Sequence, residues 1–101
     1  EITSNECRSM ITYLTQNRIG VLIEAGLPEG TQIGHKHGWA IDPADGVMHA
    51  LGDAALVYSP GGNYVLTIFI HNTEQIVWNS ANKLYADLSR AIYNYFNLEA
   101  Q

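Results

Sequence analysis

A single cysteine, few basic residues and the absence of any long apolar run exclude several classes of protein before any motif is read. Cys7 stands alone, so no disulfide closes within the chain and neither a Cys-x-x-Cys pair nor a zinc-finger spacing exists; the redox compartment is left open. Lysine and arginine number 5 against 10 acidic residues, a formal net charge of -5. With no basic run anywhere, a nucleic-acid or anionic-membrane surface is excluded as the natural partner. The longest apolar stretch, Tyr64 to Ile70, falls far short of a membrane span. No basic segment followed by an apolar one opens the chain, so no signal peptide is read in it. It starts at Glu1 without an initiating methionine, the state of a processed product or of a piece of a longer chain. What is present is a globular balance, 47% hydrophobic and 15% charged over 101 residues. Repeats, low-complexity tracts and linkers are missing, which predicts one unit over 1–101.

Local patterns predict an α+β order. A helix is expected over about 4–16, where Met10, Ile11 and Leu14 recur at helical spacing behind Ser4 as cap and Glu6. A short helical turn follows from Ile19 to Glu24 and ends at Gly26. Leu27-Pro28-Glu29-Gly30 reads as a turn in which Pro28 fixes one dihedral and Gly30 is free to take a positive φ. Strands are predicted over Thr31 to Ala40, Asp53 to Tyr58 and Asn63 to Ile70. Asp42 to Gly46 forms a turn between the first two, and Ser59-Pro60-Gly61-Gly62 closes a hairpin between the last two. The strand from Asn63 is apolar on both sides and wants cover on both. A final helix over about Ile76 to Phe96 carries Leu84, Leu88, Ala91, Ile92, Tyr95 and Phe96 as a stripe facing a core. The opening helix is expected to add to that cover, although two such helices are barely enough for both faces of a three-stranded antiparallel sheet. Part of the partner surface is therefore expected from outside the chain.

Gly30-Thr31-Gln32-Ile33-Gly34-His35-Lys36-His37-Gly38-Trp39 concentrates the chemistry. In an extended strand Gly34, Lys36 and Gly38 share one face, while Ile33, His35, His37 and Trp39 share the other. The face that carries the ammonium group is thus cleared of neighbouring side chains. Glycine in a strand marks a bulge or the close approach of a ligand or another backbone. Taken alone, the segment fits a bulged strand with a solvated lysine as well as a binding wall.

The order of these elements, together with Ala25-Gly26-Leu27-Pro28-Glu29-Gly30-Thr31, His35-Lys36-His37-Gly38, Gly52-Asp53-Ala54-Ala55-Leu56-Val57-Tyr58 and Tyr64-Val65-Leu66-Thr67-Ile68-Phe69-Ile70, resembles the C-terminal portion of the catalytic domain of class A serine β-lactamases, the penicillin-recognising enzymes. The resemblance spans about 3–97. It implies a serine hydrolase that opens β-lactams or related amides and esters through an acyl-enzyme. It further implies that Lys36 is the motif lysine, supplying positive potential to the catalytic hydroxyls and the substrate carboxylate, and that the backbone N–H of Trp39 is an oxyanion-hole donor. Gly38 then lets the acyl group lie close, and His37 stands where the family has a threonine or serine that binds the substrate carboxylate. Imidazole is bulkier and donates one hydrogen bond or, protonated, a charge. By the same resemblance the protein is periplasmic or extracellular.

The chain departs from the family in lacking a usable Ser-x-x-Lys, a Ser-Asp-Asn and a deacylating glutamate. Ser80-Ala81-Asn82-Lys83 fits the first pattern only literally, from within the final helix. The chain alone is therefore expected to be inactive, with the nucleophile supplied by the remainder of the catalytic domain or by a second chain. The alternative is a non-hydrolytic β-lactamase-like module that binds cell-wall peptides or serves as a scaffold.

Other groups read more plainly. His35 and His37 lie at i and i+2 with His49 or Asp53 within conceivable reach, a metal-like grouping. Four ligands at the usual spacings are missing, so no metal and no cofactor is expected. Asp45 and Asp53 stand beside glycine and read as turn formers rather than as an acid–base pair. Tyr85, Tyr93, Tyr95 and Phe96 read as core and rim aromatics, Trp78 as packing under the sheet edge, and His71 as a strand-end polar residue.

Overall fold

The computed structural model describes residues 1–98. Its element order is α1 (Ser4–Thr15), a 3-10 turn (Glu24–Gly26), β1 (Gln32–Ile41), β2 (Met48–Tyr58), β3 (Tyr64–His71) and α2 (Trp78–Phe96). The strands form one antiparallel sheet in the order β1-β2-β3. Among the described residues no helix is long and apolar enough to cross a membrane.

The start of α1 lies one residue earlier than its composition implies. Thr3, not Ser4, is the cap: its hydroxyl accepts from the Glu6 N–H while the Glu6 carboxylate accepts from the Thr3 N–H, a reciprocal capping box. The expected helical turn through Ile19 is also corrected. Gly20 and Leu22 both take positive φ, 68° and 60°, which breaks helical geometry and leaves only the 3-10 turn at Glu24–Gly26. Gly30 has the predicted positive φ, 83°, and Thr31 closes that turn by donating from its N–H to the Pro28 carbonyl.

β2 begins at Met48, five residues before its expected start, because Met48 to Gly52 is built by pairing with β1 rather than by an alternating pattern of its own. Register then sorts the side chains. Ile33, Val57 and Tyr64 form one row across the three strands, with Ala55, Leu51, Ile68 and Ile70 on the same face. This face is the core, and α2 covers it with Ala81 and Tyr85. The Tyr85 hydroxyl lies 2.7 Å from the Leu51 carbonyl and 3.0 Å from that of Ile68, pinning helix to sheet.

Part of the stripe predicted to face the core is turned away from it, although Ile92 packs against the core and Phe96 stacks on Tyr64. Ala81, Tyr85 and Ser89 are buried, whereas Leu84 and Leu88 are 45% and 42% exposed and Tyr95 is 70% exposed. The cause is the closeness of α2 to the 3-10 turn: a Cβ on Gly26 would run into the Ala86 carbonyl and the Ser89 side chain, and Ser89 Oγ donates to the Ile23 carbonyl at 2.7 Å. Small residues fit that approach and leucines do not, so the helix rolls its leucines outward. Trp78 opens α2 and is 38% exposed.

The opening helix does not share the cover of the core face. A Cβ on Gly34 would lie 3.2 Å from Leu14 Cβ and 3.3 Å from Thr15 Cγ2, which places the end of α1 over one end of the opposite face. The rest of that face has no cover among the described residues.

Candidate functional site

The uncovered face is assembled from small residues. In register, Lys36 stands beside Ala54 and Thr67, Gly38 beside Gly52 and Phe69, and Ala40 beside Ala50 and His71. A Cβ on Gly52 would collide with the Phe69 ring, so the ring lies over that glycine while remaining 78% exposed. A Cβ on Gly38 would meet nothing within 4 Å. Lys36, Gly38, Ala40, Ala50, Gly52 and Phe69 line a shallow depression of about 270 Å3. The two glycines that flank Lys36 thus differ in purpose: Gly34 admits a helix, and Gly38 keeps open ground beside the ammonium group.

His37 and Trp39 point their side chains to the other face. Their rings stack at 5.3 Å with an interplanar angle of 21°, and His37 Nδ1 is buried without a hydrogen-bond partner. Burial, with Lys36 and His35 adding repulsion, outweighs the attraction of Asp53 and holds the His37 pKa below its ordinary value, so the ring is neutral near pH 7. β1 is the outer strand, and its far edge carries no partner among the described residues.

Asp53, conceived above as reaching His35 across the strands, does so, and Glu24 joins them beneath this strand. Asp53 is no turn former: it sits mid-strand on the core face, fully buried, with its carboxylate oxygens 3.1 and 3.2 Å from His35 Nδ1. His35 is also fully buried, and its Nε2 lies 3.3 Å from Glu24 Oε1. The signal for this cluster was in the alternation Leu51, Asp53, Ala55, Val57, where an acid in a core position demands a partner. Asp45, by contrast, is the turn residue expected, accepting from the Val47 N–H at 3.0 Å. His71 ends β3 and is exposed, also as expected.

The conceived metal grouping does not assemble. His49 sits at the opposite end of β2 from the His35 ring, held by Asp45 at 2.6 Å and by the carbonyls of Asn72 and Glu74. Among the described residues Asp42, Asp45 and His49 are the three such groups within 4.8 Å of one another. Both aspartates also accept backbone N–H groups of their own turn, so the grouping is that of a capped turn. Ser80 and Lys83 lie on α2, away from Lys36, with Lys83 paired to Asp87 at 2.6 Å.

A sheet with a lysine on a bare face, backed by a C-terminal helix, can be set beside known proteins. The model of the Beta-lactamase enzyme family matches residues 1–96. The chain belongs to that family. No curated protein matches it. Among solved structures it is similar to PBP-A, at 23% identity and a TM-score of 0.76 over 95% of this chain and 33% of the other. It is also similar to the TLA-3 extended-spectrum β-lactamase, at 18% identity and 0.78 over 93% and 34%, and to a β-lactamase from Chitinophaga pinensis, at 18% and 0.77 over 93% and 35%. At these identities the likeness establishes the fold, which is that of the C-terminal part of a β-lactamase domain. The chain spans about a third of the length of the structures it matches. A mutant of PBP-A, similar at 24% identity, is known as an acyl-enzyme complex with penicillin G.

Proposed function

We propose that this chain is one wall of the active site of a serine hydrolase that opens β-lactams or related amides and esters, and that the nucleophile comes from the remainder of the catalytic domain or from a second chain. The observation that carries the reading is Lys36, exposed on an uncovered sheet face with open ground at Gly38. In that position the ammonium group supplies positive potential where a serine hydroxyl attacks the carbonyl carbon and the substrate carboxylate is held. The Trp39 N–H donates to the oxygen that becomes negative as the tetrahedral intermediate forms. Gly38 leaves room for the acyl group. His37 stands at the position that binds the carboxylate in the family, but its ring is neutral near pH 7 and stacks on Trp39 on the opposite face, so it brings no charge to that site. Membership of the β-lactamase family supports the substrate class, and export to the periplasm or outside the cell follows as part of the same proposal.

The alternative, a binding module for cell-wall peptides that has lost hydrolysis, draws on His37: a ring stacked on Trp39 replaces a free hydroxyl. Turnover of a chromogenic cephalosporin by the complete domain separates the two. The hydrolase reading expects Lys36→Ala to lower kcat/KM by about 10²–10³, the scale of one lost electrostatic contact at a developing oxyanion. A wild-type domain that binds cephalosporin without turning it over would instead favour the binding module.

A further inference from the structure

His35 is the best-partnered ionisable group of β1, yet the reading above gives it no part. Its ring lies on the face opposite Lys36, fully buried, between carboxylates from two different segments. Asp53 on β2 hydrogen-bonds Nδ1 at 3.1 and 3.2 Å, and Glu24 of the 3-10 turn lies 3.3 Å from Nε2 as an ion-pair contact, outside hydrogen-bond alignment. Both acids are tied further into the 17–24 segment. Glu24 accepts from Arg18 Nε at 3.0 Å and from the Ile19 N–H at 3.2 Å, and Asp53 accepts from the Ile23 N–H at 3.2 Å. The His35 carbonyl accepts from Asn17 Nδ2 at 2.9 Å. The Asn17–His35, Ile23–Asp53 and Glu24–His35 contacts join the 17–24 segment to the strands, while Arg18 and Ile19 brace Glu24 within the segment.

A neutral imidazole has one N–H, so between two carboxylates it would turn a lone pair toward one of them. An imidazolium has an N–H for each. It also balances the site: Arg18 and His35 carry two positive charges against Glu24 and Asp53. Loss of the His35 proton leaves one negative charge uncompensated where water does not reach. The other titratable groups near this cluster are His37 on β1, with ring centroids 6.4 Å from His35, and Tyr85 on α2, which feels the charge of Asp53 and whose hydroxyl donates to sheet carbonyls. Neither offers a competing charge near neutral pH: His37 is held neutral, and burial, with Asp53 adding to it, pushes the Tyr85 phenol to about 12.

We propose that His35 is a positioning residue, an imidazolium clamped between Glu24 and Asp53 that fixes the strand carrying Lys36, Gly38 and Trp39 over the 17–24 segment. Its consequence for turnover rests on the hydrolase reading, but the clamp does not. Burial alone would lower the His35 pKa, and the two carboxylates outweigh it and raise it. Hydrolytic activity is then expected to have an alkaline limb set by His35 rather than by a group that touches substrate.

The test is 15N NMR of histidine-labelled complete domain, with His35→Gln used to assign the His35 signals, alongside the pH profile of kcat/KM. The expected result is two protonated ring nitrogens on His35 above pH 6.5, with the amide resonances of Gly38 and Trp39 moving at the same midpoint. Glu24→Gln removes one carboxylate and should shift that midpoint, and the alkaline limb of kcat/KM, downward by about 1 pH unit. A singly protonated His35 ring at pH 6.5, a midpoint indifferent to Glu24→Gln, or a Trp39 amide that does not follow His35 would each overturn the proposal. If the NMR results hold and no substrate is turned over, the clamp stands and it is the hydrolase reading that fails.

Discussion

The proton on His35 decides how firmly the 17–24 segment is held to the sheet, so stability is expected to depend on pH in a stated direction. A folded-state pKa raised above the ordinary 6.5 means that the native state binds more protons than the unfolded one in the interval between them. The His35 contribution is complete below about 6.5 and is lost as pH rises through the folded value. Urea midpoints should therefore fall between pH 6 and pH 9, and the fall should flatten in His35→Gln. His49, whose pKa Asp45 raises at the surface, pulls in the same direction, and His49→Gln separates its small share. A fall as steep in His35→Gln as in wild type would count against the clamp. Glu24 works at the acid end. Burial would raise its pKa, but Arg18, the Gly20 backbone and His35 together lower it. Its contribution is present above about 4.5 and is lost in acid.

At the scale of elements, the glycines of β1 make the clearest contrast. Gly34 receives the end of α1 at 3.2 to 3.3 Å from where a Cβ would sit, whereas Gly38 faces open space. Gly34→Ala is expected to displace α1 and to cost about 1–3 kcal/mol, the scale of an overpacked contact. Gly38→Ala should leave stability within about 0.5 kcal/mol, while weakening turnover in the complete domain by crowding the ground beside Lys36. Paired chemical denaturation and kinetics check both, and a stability loss at Gly38 equal to that at Gly34 would contradict the assignment of the open face. The same contrast shows what a local pattern can and cannot tell. Both glycines were visible as a cleared strand face, but only the placement of Leu14 and Thr15 separates a packing glycine from one that leaves a site open.

Taken whole, the molecule presents unfinished surfaces. The face around Lys36 is bare beyond α1, Phe69 and Val65 on it are 78% and 69% exposed, and Leu84 and Leu88 project from the outer side of α2. β1 and β3 each have a free edge among the described residues, and unpaired edges next to apolar side chains template association. The 101-residue chain by itself is thus expected to be catalytically silent and to self-associate at about 100 µM, the range in which exposed edges and apolar surface drive aggregation. Light scattering and a chromogenic cephalosporin assay check this. A monodisperse monomer, or hydrolysis abolished by Lys36→Ala in the isolated chain, would show that these surfaces need no further partner.

The sequence by itself determined the order of elements, the turns at Gly30, Gly46 and Gly62, the sharing of one strand face by Gly34, Lys36 and Gly38, and the family. These follow from neighbours within a few residues: a glycine that takes a positive φ, a two-residue period, a motif in a fixed order. Tertiary structure alone decided that α1 and α2 lie on opposite faces, that α2 turns Ala81, Tyr85 and Ser89 inward instead of its leucines, and that His35 lies between Asp53, which leaves the turns, and Glu24. The reason is range. Which side of a helix is buried depends on how near its partner comes, and a buried charge is stable only beside groups that lie 11 and 18 residues away along the chain, distances over which local spacing carries no information.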